Sequence, residues 1–414
     1  MFKPVRILQV AVFNLMLAGC ATTHHDTAPD STPDEAHANT AAPAITAQTP
    51  AAPALPLATP EPAPSIQAGR SIPGNSSFLQ PDGRLTPDIQ AYADEVARTR
   101  NIPIKHVEAL LKQAQFNAAT AKLMAPPTIR IRRSWVTYRN RFVDSVRINA
   151  GTKFWAANKA ALDRTAQEYG VPPSVMVAII GVETIYGRIT GNFRILDALA
   201  TLGFRYPDAS RPERSQLFRD QLADLIQLDY QNVLDASQVQ GSYAGAMGLP
   251  QFMPGSLMRY AADGDGDGRI DLTNSPDDAI ASVARFLRLH GWVPGLPVFA
   301  PVTLPAQAKD LVTGGLAPTM DWSQLQTAGT TVRSQPAAGN KAPGYAANTM
   351  GNNWMQHKLG VVDLLDEPRN MAEYRLGTPN FFAITHYNRS YFYATSVADL
   401  AQALADRMGY GWPN

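Results

Sequence analysis

Apolar residues recur with a helical spacing along most of the chain between residues 78 and 292. The stretch "LTPDIQAYADEVA" opens with Thr86 and Pro87, a helix-start signal. Its apolar residues then share one helical face: Ile89, Tyr92, Ala93 and Val96. The same spacing recurs at Val107–Ala114, at Leu217–Ile226 and throughout "PDDAIASVARFLRLHG". A further helix, "AALDRTAQEYG", is predicted to end at Gly170. We therefore expect a mostly α-helical core over residues 78–294.

The pattern changes after Trp292. Short β-type runs follow, separated by Gly, Pro and Asn: "PVTLP", "GTTVR", "LGVVDLL", "AEYRL" and "NFFAITHY". They predict a small β-containing insertion over residues 295–380. The last segment, 381–414, contains a helix expected to pack on the core, with one apolar face: Val397, Leu400, Ala401 and Leu404. The sequence therefore predicts a mainly α fold of the α+β class.

The first twenty residues, "MFKPVRILQVAVFNLMLAGC", have the layout of an export signal. Lys3 and Arg6 precede an apolar run, Ile7–Leu17, that is too short to span a bilayer comfortably. "LAGC" is similar to a bacterial lipobox, in which the cysteine is lipidated and becomes the mature N-terminus. Cys20 is the only cysteine of the chain, and the alternative is an ordinary signal peptide with a chance cysteine. By resemblance to bacterial lipoproteins, Ala21 in place of Asp favours an anchor on the periplasmic face of the outer membrane.

Residues 21–77 are rich in Ala, Pro and Thr. Such a segment cannot bury enough apolar surface to fold, so we expect an extended tether between anchor and core. The 414-residue chain has a formal net charge of +1, which argues against a nucleic-acid partner. Its single cysteine excludes an intramolecular disulfide and a thiolate metal cluster.

The stretch "AIIGVETIYGR" places one carboxylate, Glu183, at the end of an apolar run. Burial raises the pKa of a carboxyl group, and a raised pKa suits a general acid near neutral pH. Glycoside cleavage needs such an acid to protonate the leaving oxygen. The competing interpretation is a structural Glu183 that pairs with Arg188, and this stretch alone leaves both open.

A second motif, "GSYAGAMGLPQFMPGS", crowds small residues around Ser242 and ends in Gln251 and Phe252. Small residues allow close backbone approach to a ligand or to a neighbouring segment. An amide beside a flat apolar ring suits a sugar, although a tight loop packed under the core explains the pattern equally well.

A third motif, "DGDGDGRIDLTNSPDD", resembles an EF-hand loop. Its first, third, fifth and seventh positions would supply three carboxylates and one backbone carbonyl: Asp263, Asp265, Asp267 and Arg269. Asn274 stands where the bidentate Glu of an EF-hand belongs, and Asp278 in the next helix is the substitute ligand that we expect. Crowded aspartates repel one another without a cation, so calcium is favoured over a solvated acidic loop.

Several aromatic residues are candidates for lining a sugar-binding cleft. Tyr206 lies in "FRYP", Tyr387 and Asn388 lie in "THYN", and Trp135 and Tyr138 lie in "SWVTYR". Any one of these rings also fits a core position, because aromatic side chains bury large areas wherever they occur.

Taken together, these motifs resemble the membrane-bound lytic murein transglycosylase B family. "GVETIYGRITGNFRILDALATLGFRYP" is similar to its catalytic-helix region, and "GSYAGAMGLPQFMPGS" to its second signature. The DGDGDG loop and "ITHYNRS" follow in the family's order, and the resemblance covers roughly residues 78–410. Members often carry Arg-Trp after "GVET", where this chain has Ile185 and Tyr186; it also has Leu249 and Pro250 before Gln251.

The resemblance implies a lysozyme-like α domain with a smaller β-containing part completing the cleft. It implies cleavage of the β-1,4 bond between N-acetylmuramic acid and N-acetylglucosamine in peptidoglycan, leaving 1,6-anhydromuramic ends. Glu183 maps onto the single catalytic acid and base, with no catalytic cofactor and a structural calcium ion. Residues that map onto substrate binding are Ser242, Gln251, Phe252, Tyr206, Tyr387, Asn388, Tyr138 and Arg188.

Two alternatives share this scaffold: a hydrolytic muramidase and a non-catalytic peptidoglycan-binding lipoprotein. A single catalytic carboxylate favours the transglycosylase, because the substrate's own acetamido group and 6-hydroxyl can replace a second carboxylate and water. The expected partners are peptidoglycan glycan strands and, through Cys20, a membrane. We expect a monomer, with cell-wall synthesis or division complexes as candidate protein partners.

Overall fold

The computed structural model describes residues 77–127, 129–333 and 352–410. The expected signal peptide, the expected lipidation site Cys20 and nearly all of the expected tether lie outside the described residues, as do residues 334–351 of the expected insertion. Within the described ranges, no helix is both long and apolar enough to cross a membrane.

Helices dominate the described chain. Their bounds, in chain order, are α1 Pro87–Arg100, α2 Ile104–Leu111, α3 Ala118–Met124, α4 Trp135–Phe142, α5 Ser145–Ala157, α6 Lys159–Tyr169, α7 Pro173–Thr184, α8 Ile195–Phe204, α9 Pro212–Tyr230, α10 Pro254–Tyr260, α11 Pro276–Leu289, α12 Trp322–Thr327, α13 Pro379–Thr385 and α14 Tyr391–Met408. Short 3-10 helices span Ala308–Leu311, Asn352–Gln356 and Glu367–Arg369. The expected mainly α fold is confirmed.

The strands in the described residues form three two-stranded antiparallel pairs. The pairs are β1 Phe193–Arg194 with β2 Gln240–Gly241, β3 Val302–Thr303 with β4 Thr331–Val332, and β5 Gly360–Asp366 with β6 Met371–Gly377. The last pair is a hairpin whose register runs from Gly360 opposite Gly377 to Asp366 opposite Met371.

The helix starts and stops follow local chemistry. Thr86 precedes α1 and Pro87 takes its first position, where a missing N–H costs nothing. Gly170 ends α6 in the left-handed region, at φ 66°. Ser275 caps α11, because its side chain accepts a hydrogen bond from the backbone N–H of Asp278 at 3.2 Å.

Helix α7 lies at the centre of the larger hydrophobic core. Every residue from Pro173 to Val182 is buried, so α7 has no polar face. A helix that is apolar all round must be covered on all sides. Helices α5, α6, α11 and α14 pack against it and provide that cover.

A second, smaller hydrophobic cluster lies around the strands β3, β5 and β6. Its buried members are Leu296, Ala300, Val302, Trp322, Leu325, Trp354, Leu359, Val361 and Leu376. Trp322 and Trp354 meet edge to face, with ring centroids 5.0 Å apart. All of these residues fall within the range expected for the β-containing insertion.

The β-type prediction for "NFFAITHY" is wrong, because this run forms α13 and the turn after it. Thr378 precedes the helix, and its hydroxyl accepts a hydrogen bond from Asn380 N at 3.1 Å. Pro379 takes the first helical position. The run is rich in β-formers, but all residues from Asn380 to Thr385 are buried, so packing overrides the weak local preference.

Asn380 is fully buried and holds the chain between the two hydrophobic clusters. Its Oδ1 accepts from Val293 N at 2.6 Å, and its Nδ2 donates to the carbonyls of Val293 at 2.9 Å and Leu296 at 2.8 Å.

We expect Asn380→Ala to lower the free energy of unfolding by about 2–3 kcal/mol, because buried polar groups lose their partners. Urea denaturation measures the change. The exposed Asn140→Ala is the control, expected within about 0.5 kcal/mol of wild type. Equal midpoints for the two variants would contradict this role of Asn380.

Candidate active site

Glu183 lies in the last turn of α7, directly after the fully buried stretch of that helix. The residue is half-buried, and its Oε1 accepts a hydrogen bond from the hydroxyl of Tyr393 at 2.5 Å. Tyr393 comes from α14 and is itself buried. The carboxyl therefore faces a neutral donor supplied by a helix 210 residues further along the chain.

The surroundings of Glu183 favour its protonated form. Burial raises the pKa of Glu183 to about 8, and the hydrogen bond from Tyr393 lowers it only in part. In the described part of the chain, no Lys, Arg or His forms an ion pair with this carboxyl, and Arg188 is exposed. The alternative of a structural Glu183–Arg188 pair is therefore not found.

Three tyrosines surround Glu183: Tyr138, Tyr387 and Tyr393. Burial raises the pKa of each hydroxyl, and the nearby Glu183 charge raises it further. Tyr387 stacks on Tyr393 with ring centroids 6.2 Å apart, and its hydroxyl donates to Pro250 O at 2.6 Å. The structure thus brings two of the predicted aromatic residues together with Tyr393, which the sequence analysis missed.

The backbone after Glu183 is a strained turn. Ile185 and Tyr186 both have positive φ, 51° and 58°, and Gly187 follows at 85°. Non-glycine residues in this region cost on the order of 1–3 kcal/mol each, and a β-branched residue is rare there. The Thr184 hydroxyl holds the turn, because it donates to Leu249 O at 3.0 Å and accepts from Gly187 N at 3.0 Å. The small-residue loop therefore packs directly against the end of α7.

Ser242 and Gln251 shape that small-residue loop. The buried Ser242 hydroxyl accepts from Ala246 N at 3.0 Å. Gln251 has a φ of 52°, and its Nε2 donates to the carbonyls of Thr190 at 3.2 Å and Gly248 at 3.0 Å. Gly248, at φ 71°, has no room for a side chain against the backbone of Leu272. Close packing therefore explains the small residues of this motif.

Phe252 is only 2% exposed and lies beneath Tyr387, with ring centroids 5.8 Å apart. It supports Tyr387 and does not present an open face. Tyr206 packs elsewhere: it is buried, it stacks on Phe218 of α9 at 6.0 Å, and its hydroxyl accepts from Arg214 Nε at 3.2 Å. None of the contacts described for Tyr206 involves Glu183 or its tyrosines.

Tyr138 of α4 packs on Phe392 with ring centroids 5.5 Å apart. Trp135 of the same helix is buried and donates from Nε1 to Glu373 Oε2 at 2.9 Å, which gives it a structural role. Asn388 is half-buried beside Tyr387, and its carbonyl accepts from Ser390 N at 2.6 Å.

Two carboxylates of the acidic loop and one from the first turn of α11 come close together. Oxygen atoms of Asp263, Asp265 and Asp278 lie within 4.8 Å of one another, the first two exposed and the third buried. Asp278 accepts hydrogen bonds from Gly264 N at 2.8 Å and from Asp271 N at 2.7 Å, so it ties both ends of the loop together. Hard oxygen donors gathered in this way fit a calcium ion.

Asp267 and Arg269 stand apart from those three carboxylates. Both are exposed, and Asp267 Oδ1 accepts from Arg269 N at 2.8 Å. Asn274 donates from Nδ2 to Asp271 Oδ2 at 2.8 Å, so its amide is engaged within the loop. Of the two candidates for the last ligand position, Asp278 contributes a carboxylate oxygen to the cluster, whereas the Asn274 side chain bonds to Asp271.

The chain resembles proteins of known activity. The family model described as a transglycosylase SLT domain matches residues 85–402. Membrane-bound lytic murein transglycosylase B of Escherichia coli K12 is 36% identical over 327 residues, which cover 77% of this chain and 83% of that protein. The structure of soluble lytic transglycosylase SltB1 from Pseudomonas aeruginosa has a TM-score of 0.66 at 36% identity, over 78% of this chain and 100% of that chain. Slt35 of Escherichia coli, solved in complex with calcium, has a TM-score of 0.63 at 35% identity, over 78% and 93% of the two chains.

The raised pKa of Glu183 has a consequence for stability. The ordinary pKa of a glutamate is 4.5, and the pKa of Glu183 in the folded protein is about 8. Between these two pH values, Glu183 holds its proton in the folded protein but loses it in the unfolded chain. The contribution of Glu183 to the free energy of unfolding therefore falls as pH rises. The amide side chain of Glu183→Gln does not titrate, so the variant lacks this pH dependence. We therefore expect its melting temperature to exceed that of wild type by a margin that grows from pH 5 to pH 8 and then levels off.

Thermal unfolding at pH 5, 7 and 9 measures this margin. Glu213→Gln, at an exposed glutamate of α9, is the matched control and should show no comparable growth. A constant margin between Glu183→Gln and wild type would mean that Glu183 does not titrate in this range.

Proposed function

We infer that this chain, which belongs to the transglycosylase SLT family, is a peptidoglycan lytic transglycosylase, and we propose Glu183 as its single acid and base. The resemblance stated from the motifs is confirmed by the family match. The observation that carries the catalytic assignment is the desolvated carboxyl of Glu183, hydrogen-bonded by Tyr393 and free of cationic partners among the described residues.

Glu183 acts first as an acid. Since its pKa is raised to about 8, it holds a proton at neutral pH and can give it to the oxygen of the β-1,4 bond between N-acetylmuramic acid and N-acetylglucosamine. Tyr393 keeps one carboxyl oxygen occupied, which leaves the other to face the leaving oxygen. After proton transfer, the Tyr393 hydroxyl donates to a carboxylate, and such a bond is stronger.

The glycan then supplies the groups that most glycosidases take from a second carboxylate and water. Its 2-acetamido oxygen attacks the anomeric carbon as the glycosidic bond breaks. Glu183 accepts the proton of the muramic 6-hydroxyl, whose oxygen displaces the acetamido oxygen and closes the 1,6-anhydro ring. No water is consumed. Consistent with this scheme, no described Asp or Glu influences the pKa of Glu183.

The surrounding residues divide into contact and support. Tyr138, Tyr387 and Asn388 are proposed to contact the sugars beside Glu183, and exposed Arg188 to reach substrate after the strained turn. The remaining proposed binding residues are Ser242, Gln251, Phe252 and Tyr206, of which Tyr206 packs on α9 and makes no described contact with Glu183. Ser242, Gln251 and Phe252 act mainly by holding the small-residue loop and Tyr387, since their described polar or ring contacts are internal.

We also propose that Cys20 anchors the chain by lipid to the periplasmic face of the outer membrane. The related Escherichia coli enzyme is named as membrane-bound, which supports an anchor. The proposed domain order follows: signal peptide 1–20, tether 21–77, catalytic core 78–294, β-containing insertion 295–380 and C-terminal segment 381–414. The smaller hydrophobic cluster around Trp322 and Trp354 supports a distinct β-containing part, and Val298, Phe299 and Val362 of the same range belong to the larger core.

The acidic loop is proposed to hold a structural calcium ion. Asp263, Asp265 and Asp278 would provide carboxylate oxygens, with Asp267 and the Arg269 carbonyl closing around the ion from the exposed side. The calcium complex of Slt35 supports this choice of metal. The ion takes no part in the reaction.

Glu183→Gln tests the catalytic assignment. We expect the lytic rate on purified peptidoglycan to fall about 10³-fold or more, because one group performs both proton transfers. The glutamine preserves size and can still accept from Tyr393, so the variant should stay folded. Mass spectrometry of the wild-type digest should show muramic ends lighter by one water than hydrolysed ends.

Each other outcome has a definite meaning. Reducing muramic ends alone would establish a hydrolytic muramidase. Unchanged lysis by Glu183→Gln would remove Glu183 as the acid, and a folded wild-type protein that binds but does not cleave peptidoglycan would be a binding lipoprotein.

Calcium should stabilise the folded protein. Saturating calcium is expected to raise the melting temperature above that in chelator, because the ion binds the folded loop. Asp265→Asn should abolish this gain, whereas Asp310→Asn, at an exposed aspartate remote in sequence from the loop, should keep it. Equal melting temperatures with calcium and with chelator in wild type would exclude the site.

A further inference from the structure

We propose that Tyr186 is a positioning residue for Glu183: its ring, seated in a slot between α5 and α7, fixes the strained turn that follows the acid. This inference rests on the proposed catalytic role of Glu183. Tyr186 itself has no part in the proposed reaction and acts through the packing around its ring.

The slot exists because two glycines face each other across the helices. A Cβ added at Gly151 of α5 or at Gly181 of α7 would overlap the Tyr186 hydroxyl, and at Gly181 it would lie 2.6 Å from the ring carbon Cζ. Leu404 of α14 closes the slot beside Gly151. Phe154 covers the ring, with centroids 5.3 Å apart. Only a pair of glycines leaves room for this ring at the end of α7.

The hydroxyl of Tyr186 shows that the slot is built for shape. The atom is buried and has no hydrogen-bond partner among the described residues. An unpartnered buried hydroxyl destabilises the folded state, so the fit of the ring must outweigh that cost. We therefore attribute the role of Tyr186 to its ring, which holds the backbone of the turn in place.

Helix α5 holds the same turn at a second point. Arg147 is buried, is fixed by an ion pair with Asp144 at 2.6 Å, and donates from Nε to Gly181 O at 3.1 Å. The same carbonyl accepts the backbone N–H of Ile185 at 3.2 Å. The left-handed conformation of Ile185 and Tyr186 is thus enforced from α5, through a guanidinium and through the slot.

The position of Glu183 depends on that turn. Glu183 lies three residues before Tyr186, and its carboxyl must stay within hydrogen-bond reach of Tyr393 on another helix. If the ring leaves the slot, the strain in Ile185 and Tyr186 can relax and the last turn of α7 can unwind toward water. The carboxyl would then shift away from the reacting oxygen and become better hydrated.

Tyr186→Ala tests the proposal in the full-length protein acting on purified peptidoglycan. We expect kcat to fall about 10-fold to 100-fold with KM close to wild type, because a misplaced acid affects the chemical step. We also expect the high-pH limb of the rate to move to lower pH, because a hydrated Glu183 loses its proton more easily. Tyr186→Phe keeps the ring and removes the unpartnered hydroxyl, so it should restore kcat without a loss in melting temperature.

Ile89→Ala, in the buried face of α1, is the matched control for lost core volume and should leave kcat and the pH limb unchanged. If Tyr186→Ala does not fold, Tyr186→Leu is used in its place. Its shorter side chain leaves the end of the slot empty, and the same changes in kcat and in the pH limb are expected. A folded variant with wild-type kcat and pH limb overturns the proposal, as does Ile89→Ala with the same losses. Wild-type lysis and its loss in Glu183→Gln test the catalytic role separately, so failure of Tyr186 alone would leave that role intact.

Discussion

A carboxyl group that must hold a proton near neutral pH has to lose most of its contact with water and must have no cation beside it. The fold meets both conditions at Glu183. Helix α7 has no polar face, so other helices cover it. The carboxyl of Glu183, in the last turn of α7, is therefore largely shielded from water as well. The hydrogen bond from Tyr393 orients the carboxyl without bringing a positive charge, which would favour the ionised form.

The same requirement explains the strained backbone after Glu183. As the proposed acid, Glu183 has to lie at the end of the helix to face a substrate, whereas the apolar residues before it must stay covered. The chain therefore leaves α7 abruptly, through positive φ angles at Ile185, Tyr186 and Gly187. Such a turn persists only where its surroundings enforce it. Here the Thr184 hydroxyl, the small-residue loop and the slot in α5 do so, which links residues far apart in the sequence to one carboxyl.

Sequence alone predicted the helices whose buried faces are apolar, such as α1, α11 and α14. It did not predict α5, because the buried positions of "SVRINAGTKFWAA" are Arg147, Gly151 and Trp155, while Val146 is exposed. The buried face of α5 consists of an ion-paired arginine, a glycine that leaves room for Tyr186, and one tryptophan. Apolar residues therefore do not recur along it with helical spacing. Tyr393 was missed for a related reason: it looks like one more apolar position of α14, and its partner lies 210 residues away.

Glu183 and Asp278 show why burial alone does not decide what a carboxyl does. Asp278 is almost completely buried, but backbone N–H groups of Gly264 and Asp271 donate to its two oxygens. These donors fix both oxygens of Asp278 beside the carboxylate oxygens of Asp263 and Asp265, where a cation could find hard ligands. Glu183 receives a single neutral hydroxyl and no backbone donor among the described hydrogen bonds. The same chemical group therefore suits the proposed proton transfer at one site and the proposed cation binding at the other, and the difference lies in the donors around it.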